Sequence, residues 1–587
     1  MVVKIDLANA FDRVSHPFLL QVMQKFGFSS KFISWIKACI SKPWISPLVN
    51  GRAAPFFQAS RGLRQGCPLS PLLYAIQASV LSFQLENARL EQDLPEIKMA
   101  RETKDINHAQ FADDTILLGG ASQIIARHFK AELERYCHAS GSEISFRKSK
   151  IYGWNINPRE MLDISRTLRM DGVVDWESFN YLGIPIFKDK SKSSAWTPII
   201  EKIKRKIQGW GSIWLNLDGK VVLMKSVLNS FLLYQSTLLL APVKVISQID
   251  GLIRSFLWQK GNAGGGKKFA LVSWRTIKLP RSEGGLNIRD IRSQNLAMGA
   301  KLLWNLIAPK PSWCSQVLKA KYFRGRRLRC LDGEHVNQKG TAIYNVCYKA
   351  LPRFKEELHW VPGNGKSINI WQDRILDKEP PHIPRLQERL TEQGMKTLWD
   401  FSKWETEWPN RWAGWCLPDC SPEINAELKI LSTHLAGLAP ESKIKRDRRG
   451  WGKKTGVYST DEGYQLYAAS YNVPDNPRRW SNLWNCRTLP KIDLFAWTLL
   501  YQRILTGENL QKRGFLGPFR CPLCSEDEEN IRHLFLTCPF TISVWEEVMK
   551  PLGGGARLPD TVQDWFISWD KLYNGDLQKK INLKTVG

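Results

Sequence analysis

His108-Ala109-Gln110-Phe111-Ala112-Asp113-Asp114-Thr115-Ile116-Leu117-Leu118-Gly119-Gly120 is the stretch whose reading decides the fold. Two adjacent carboxylates lie between apolar residues, β-branched Thr115 and Ile116 follow them, and a pair of glycines ends the run. This pattern predicts a β-hairpin with the acidic pair at its turn. Like charges side by side at the end of a buried hairpin are costly unless something neutralises them. A hard divalent cation such as Mg²⁺ does so through carboxylate oxygens and keeps positions open for phosphate. Taken alone, the pair reads equally well as a solvated Asp-Asp turn.

The bulk of the chain bears on that choice. At 587 residues it has room for several cores. Its 43% hydrophobic and 24% charged residues are ordinary for a folded protein. Its charge is not: 84 basic against 56 acidic residues give +28, which favours a polyanionic partner, nucleic acid ahead of a membrane surface. The 25 tryptophans would mostly anchor cores, with stacking on bases as the other use. The 12 cysteines are scattered, and Asp6 interrupts any leader at the N-terminus. The best apolar run, 230–245, contains Gln235 and Pro242 and is too short to span a bilayer. The expectation is a reduced, soluble, intracellular protein with no membrane contact.

Working outward, Val2-Val3-Lys4-Ile5-Asp6-Leu7 alternates like a buried strand and delivers a third carboxylate, Asp6. Residues 17–39 predict two short helices broken near Gly27, and Asn50-Gly51 predicts a hairpin turn within 43–57. Arg61-Gly62-Leu63-Arg64-Gln65-Gly66-Cys67-Pro68-Leu69-Ser70-Pro71 is a loop that opens an apolar helix over about 71–90. Glycines for close approach, two arginines and a helix N-terminus suit a phosphorylated ligand, or else a plain strand-to-helix connection. If Asp6, Asp113 and Asp114 converge, they could hold two Mg²⁺ ions about 4 Å apart for in-line phosphoryl transfer.

Three stretches, 4–14, 61–71 and 111–114, resemble in order and spacing the palm of reverse transcriptases, above all the non-LTR (LINE-type) retrotransposon branch and its plant members. The resemblance implies an RNA-directed DNA polymerase that adds deoxynucleoside triphosphates to a DNA primer on an RNA template, with Mg²⁺ or Mn²⁺. It implies that Asp6, Asp113 and Asp114 are the metal-binding catalytic carboxylates. Phe11 would be the ring that blocks a ribose 2′-hydroxyl, and Arg64, Gln65 and Gly66 would line the incoming nucleotide. Asp12 fits a local cap or an ion pair with Arg13 better than a metal role. Residues 140–149 resemble the next palm motif, with Lys148 as general acid toward the pyrophosphate or as a solvated surface lysine. There Glu143 and Ser145 replace the Lys and Asn usual in the family. Tyr181-Leu182-Gly183-Ile184-Pro185-Ile186 resembles the primer-grip hairpin.

Beyond the palm, helical periodicity with basic faces over about 195–258 fits a thumb that grips duplex backbone, or an ordinary amphipathic bundle. Residues 261–268 read as a flexible linker. The segments 272–274, 284–288 and 371–374 resemble parts of plant LINE-like polyproteins and suggest no chemistry. The basic clusters 324–329 and 443–449 suggest nucleic-acid contact or a solvated charge run. Cys521-Pro522-Leu523-Cys524, with His533 and Cys538, offers four ligands for tetrahedral Zn²⁺. It resembles the zinc-binding domain that ends plant LINE-type reverse transcriptases, with a closed, structural site. Cys416 and Cys420 have no evident partners.

The expected fold is α+β: a right-hand polymerase palm with incomplete fingers over 1–190, a helical thumb-like region over 191–260, a mixed Trp-rich basic connector over 261–480, a small zinc-binding domain over 481–550 and a tail over 551–587. In the family, fingers strands precede the strand that carries the first aspartate. The expectation is therefore the C-terminal part of an element's polyprotein, nuclear with cytoplasmic assembly and of unassigned oligomeric state. The alternative is a catalytically inactive nucleic-acid-binding remnant.

Overall fold

The alternation at the N-terminus forms β1 (Val2–Ile5), the central strand of a five-stranded sheet. The computed structural model describes the chain except for residues 92–93, 95–96, 102, 190–192, 210–214, 259–269, 309–310, 324–339, 403–421, 437, 439–445, 453–455, 469–476, 486–487, 551–557 and 569–587. The linker at 261–268, the basic run 324–329, Cys416, Cys420, Trp210 and Trp214 lie outside the described residues. The chain divides into two compact units. One is Met1–Lys192 with Lys310–Arg326; the other is Ser193–Pro309 with Arg327–Gly587.

In the first unit β1 leads through a turn to α1 (His16–Lys25) and α2 (Ser30–Ile40). Gly27 separates these two helices at φ 84°. Two nested ribbons follow, β2 (Trp44–Ile45) with β5 (Phe57–Gln58) outside β3 (Leu48–Val49) with β4 (Arg52–Ala53). Asn50 and Gly51 take positive φ at the tip, as a tight hairpin requires. Next come α3 (Ser70–Leu90), β6 (His108–Phe111), β7 (Asp114–Leu118), α4 (Gln123–Ser140), β8 (Lys150–Tyr152), α5 (Pro158–Leu168) and β9 (Asp171–Val173). The sheet order is β6-β7-β1-β8-β9, antiparallel except for the parallel β8–β9 pair.

Side-chain alternation divides β1 between two cores. Val3 and Ile5 join a large cluster with Leu19, Tyr74, Phe129 and Tyr136 from the helices. Val2 joins a smaller aromatic cluster with Ile116, Tyr152, Trp176 and Phe179. That second face is covered by the hairpin of β10 (Ser178–Tyr181) and β11 (Ile184–Phe187). Its turn residues, Leu182 and Gly183, both have positive φ, the geometry of a two-residue hairpin turn.

The second unit is mostly helical. Leu217–Leu223 runs through one π turn, Met224–Leu228, into Asn229–Ser236, and starts where Asn216 accepts a hydrogen bond from Gly219 N–H at 3.2 Å. The buried Lys278 ammonium donates to Asp250 at 2.6 Å and Asp290 at 2.8 Å. Asp290 also caps the helix Ile291–Ile307. Gly284 packs against Trp480, and its carbonyl accepts from Trp497 at 2.7 Å and Tyr501 at 3.0 Å. The 284–288 segment thus serves as a seat for aromatic residues, as its sequence alone did not reveal. Of the basic run 443–449, Asp447 and Arg449 are built into the fold, whereas Arg446 and Arg448 are exposed. Asp447 accepts from Gly363 and Gly365 N–H at 2.7 Å each, and Arg449 lies over Trp360 at 3.5 Å.

Candidate catalytic site and metal centre

The register of β1 against β7 pairs Ile5 with Thr115. The next residue along each strand toward the sheet's end is therefore acidic: Asp6 after β1 and Asp114 at the start of β7. Asp113 sits in the turn beside Ala112, which takes φ 52°, an unfavourable conformation for alanine that only Gly adopts freely. Burial first, then Asp113 and Asp6, push the Asp114 carboxyl above its ordinary range, with Lys4 working the other way. The three carboxylates thus share one electrostatic environment. Among the described residues the three are not drawn together as closely as the Cys/His quartet below, and a divalent cation would gather such mutually repelling oxygen donors.

The surrounding backbone is tightly fixed. Asp6 N–H donates to Ser149 Oγ at 3.0 Å, and Ser145 N–H donates to the Asp6 carbonyl at 2.8 Å. Lys148 Nζ lies 3.9 Å from Asp6 Oδ1. The Arg13 guanidinium pairs with Glu143, not with the neighbouring Asp12. Asp12 instead accepts from Gln65 Nε2 at 3.2 Å. The expected Asp12–Arg13 pair is therefore replaced by two contacts that tie the 8–14 turn to distant loops, a fact of tertiary structure that local spacing could not show.

The loop before α3 runs beside this turn. Gly62 and Leu63 N–H donate to the carbonyls of Val14 and Phe11, both at 2.8 Å. A Cβ on Gly62 would meet the Asp12 carbonyl at 2.7 Å, and its φ is +92°, so glycine is required there twice over. Arg64, Gln65 and Gly66 are exposed. No side chain caps the N-terminus of α3, whose N-cap is Leu69. Phe11 stacks on Tyr74 of α3 at 4.6 Å and 22°. The Tyr181 hydroxyl reaches the carbonyls of Ala109 and Asp114, both at 3.4 Å. Tyr74 was not legible from sequence, and Tyr181 was read only as part of the primer-grip hairpin, because a periodic apolar position and a hairpin flank carry no signal of what they touch.

In the second unit, Cys521, Cys524, His533 and Cys538 bring one ligand atom each within 4.8 Å of one another. Cys521 and Cys538 sulfurs are 3.9 Å apart, and Cys524 Sγ is 3.3 Å from His533 Nε2. Bond lengths of roughly 2.0–2.3 Å to a tetrahedral zinc ion place ligand atoms about 3.5–3.8 Å apart, so the quartet fits. Backbone amides of Asp527 and Glu526 draw the Cys524 thiol down to about 6, the thiolate form zinc requires. His533 Nδ1 faces Asp527 at 3.4 Å, an outer carboxylate that orients the ring.

A sheet that ends with Asp6 opposite Asp114 and with Asp113 in the adjoining turn, flanked by a glycine-bearing loop and a long helix, is compatible with the layout of a nucleic-acid polymerase palm. Residues 1–186 match the family described as reverse transcriptase (RNA-dependent DNA polymerase), and residues 458–545 match zinc-binding in reverse transcriptase. The chain therefore carries a reverse transcriptase domain and a reverse-transcriptase zinc-binding domain, and its relatives include non-LTR retrotransposon Pol proteins.

Among those relatives, a protein of Arabidopsis thaliana named for ribonuclease H is 26% identical over 62% of this chain and 58% of its own length. The Pol polyprotein of the type-1 element R2 of Popillia japonica is 35% identical over 20% of this chain and 18% of its own. That of the type-2 element R2DM of Drosophila melanogaster is 22% identical over 62% and 34%. The chain thus spans little more than half of the first relative, about a third of the R2DM polyprotein and less than a fifth of the R2 polyprotein. Among the described residues, no helix is long and apolar enough to cross a membrane.

Proposed function

We propose that this chain is the polymerase-bearing part of a LINE-type retrotransposon protein, an RNA-directed DNA polymerase that extends a DNA primer on an RNA template with deoxynucleoside triphosphates. The observation that carries the reading is the β1–β7 register, which sets Asp6 beside Asp113 and Asp114 at one end of the sheet. These carboxylates would hold Mg²⁺ or Mn²⁺. A pair of such ions supplies Lewis-acid activation of a primer 3′-hydroxyl and neutralises a departing pyrophosphate.

The chain's own residues orient and filter. The exposed Arg64-Gln65-Gly66 loop, at the positive end of the α3 dipole, offers positive charge to a triphosphate. Phe11, pinned by Leu63 N–H, presents a ring against a ribose 2′-hydroxyl. Lys148, close to Asp6, would give a proton to the leaving group, a reading its 3.9 Å approach to Asp6 supports. The Leu182-Gly183 turn positions the primer end. The helices after Ser193 would contact duplex backbone as a thumb, and a structural Zn²⁺ held by Cys521, Cys524, His533 and Cys538 would set the shape of the C-terminal domain.

The test is extension of a DNA primer on an RNA template with Mg²⁺ or Mn²⁺, beside the Asp113→Asn/Asp114→Asn variant. Synthesis by the unmodified chain alone supports the reading. Salt-sensitive RNA binding without synthesis would replace it with a binding role.

A further inference from the structure

We propose that Tyr74 is a positioning residue for nucleotide selection: its ring is the rear wall that holds Phe11 where a ribose 2′-hydroxyl would have to fit. The inference rests on the reading of Phe11 as the sugar filter. A filter of this kind works only if the ring does not yield, because a shift of about one ångström makes room for one oxygen. The backbone of Phe11 is fixed from one side, its carbonyl accepting from Leu63 N–H at 2.8 Å. Its ring is only half-buried and needs a second support. Tyr74 supplies it, fully buried on α3 and stacked on Phe11 at 4.6 Å and 22°.

The tyrosine hydroxyl plays no part in this. It is buried with no hydrogen-bond partner among the described residues. Burial, then Tyr136 and Asp113, hold the phenol far above its ordinary pKa, so it stays neutral throughout the working range. The flat ring is what counts, and α3 carries it. One helix therefore opens at the nucleotide-facing loop with its first turn and braces the filter with its second.

The experiment measures equilibrium binding of dATP and ATP to the full chain on a primed RNA template with a templating uridine, using Ca²⁺ to prevent turnover. Tyr74→Phe keeps the ring and should retain the preference for dATP. Tyr74→Leu and Tyr74→Met lose the stacked plane and should narrow it about three- to tenfold, the worth of one aromatic pair, chiefly by tightening ATP. Phe11→Ala should narrow it further. Methionine fills volume flexibly, so Tyr74→Met carries the test if Tyr74→Leu does not fold. A preference unchanged in Tyr74→Met but lost in Phe11→Ala overturns the role of Tyr74 and leaves the filter standing. A preference unchanged in Phe11→Ala overturns the filter itself. Failure of the unmodified chain to bind dATP overturns the polymerase reading and this inference with it.

Discussion

The Tyr181 hydroxyl lies 3.4 Å from the carbonyl oxygen of Asp114, linking the hairpin on one face of the sheet to the turn that carries the acids. The contact joins the segment assigned to the primer end with the segment assigned to the metal. Tyr181→Phe keeps the ring packed against the aromatic cluster and removes only the anchor, which is worth about 0.5–1.5 kcal/mol. The expected result is a melting temperature lowered by no more than a few degrees, with a severalfold drop in the maximal rate of primer extension measured well below it. An unchanged maximal rate would assign Tyr181 to packing alone.

The acidic cluster predicts an opposition between stability and activity. The Asp114 carboxyl is held above its ordinary range, so the folded state binds more protons than the unfolded state near that pKa. Without divalent cation, stability should therefore rise as pH falls from neutrality through the Asp114 pKa, as far as this group decides it. Asp114→Asn should raise the melting temperature of the metal-free protein at pH 7 by about 1–2 °C while abolishing synthesis. Thermal melts with and without Mg²⁺ check this, and a lower melting temperature for the variant would contradict it.

Zinc should be a folding ligand of the C-terminal domain. With four protein ligands in tetrahedral reach, Cys521→Ser should reduce bound zinc from about one per chain to near zero and expose residues 458–545 to protease. Metal analysis of purified protein, with limited proteolysis before and after a chelator, decides this. Full zinc retention in the variant would reject the quartet.

Lys278 predicts a purely structural loss. Burial works against its charge, but Asp290 and Asp250 outweigh burial and raise its pKa, while Lys278 outweighs burial to lower that of Asp290. The lysine contribution is complete below its unfolded pKa and lost as pH rises through the folded one. The Asp290 contribution is present above the unfolded carboxyl pKa and lost as pH falls through the folded one, so the network is intact across neutrality. Lys278→Met leaves two carboxylates without their partner and should cost about 3–5 kcal/mol, measured by denaturant unfolding of the full chain. A cost under about 1 kcal/mol would show that water reaches the site.

Much of the site was legible in the chain because it is built from local signals. The acidic hairpin, the Asn50-Gly51 tip, the break at Gly27 and the start of α3 each depend on residues within a few positions, and the structure places them close to where periodicity and turn chemistry put them. The partner of Arg13 was not legible, since Glu143 comes to it through the fold and not along the chain. Nor was the fate of Asp447 and Arg449: they look like part of a solvated charge run until Trp360 is known to lie beneath Arg449 and three backbone amides of 363–367 are seen to converge on Asp447.

By itself the sequence determined which groups this protein has for chemistry: three carboxylates in order around a glycine loop, and a Cys/His quartet whose spacing only a tetrahedral metal uses economically. Only the tertiary structure decided which of them meet. Strand register fixes Asp6 beside Asp114, helix packing sets Tyr74 behind Phe11, and the hairpin packed on the other face of the sheet brings Tyr181 to the acidic turn. The physical reason is that covalent spacing governs contacts a few residues apart, whereas contacts across the sheet depend on which faces become buried together, a property of the whole core.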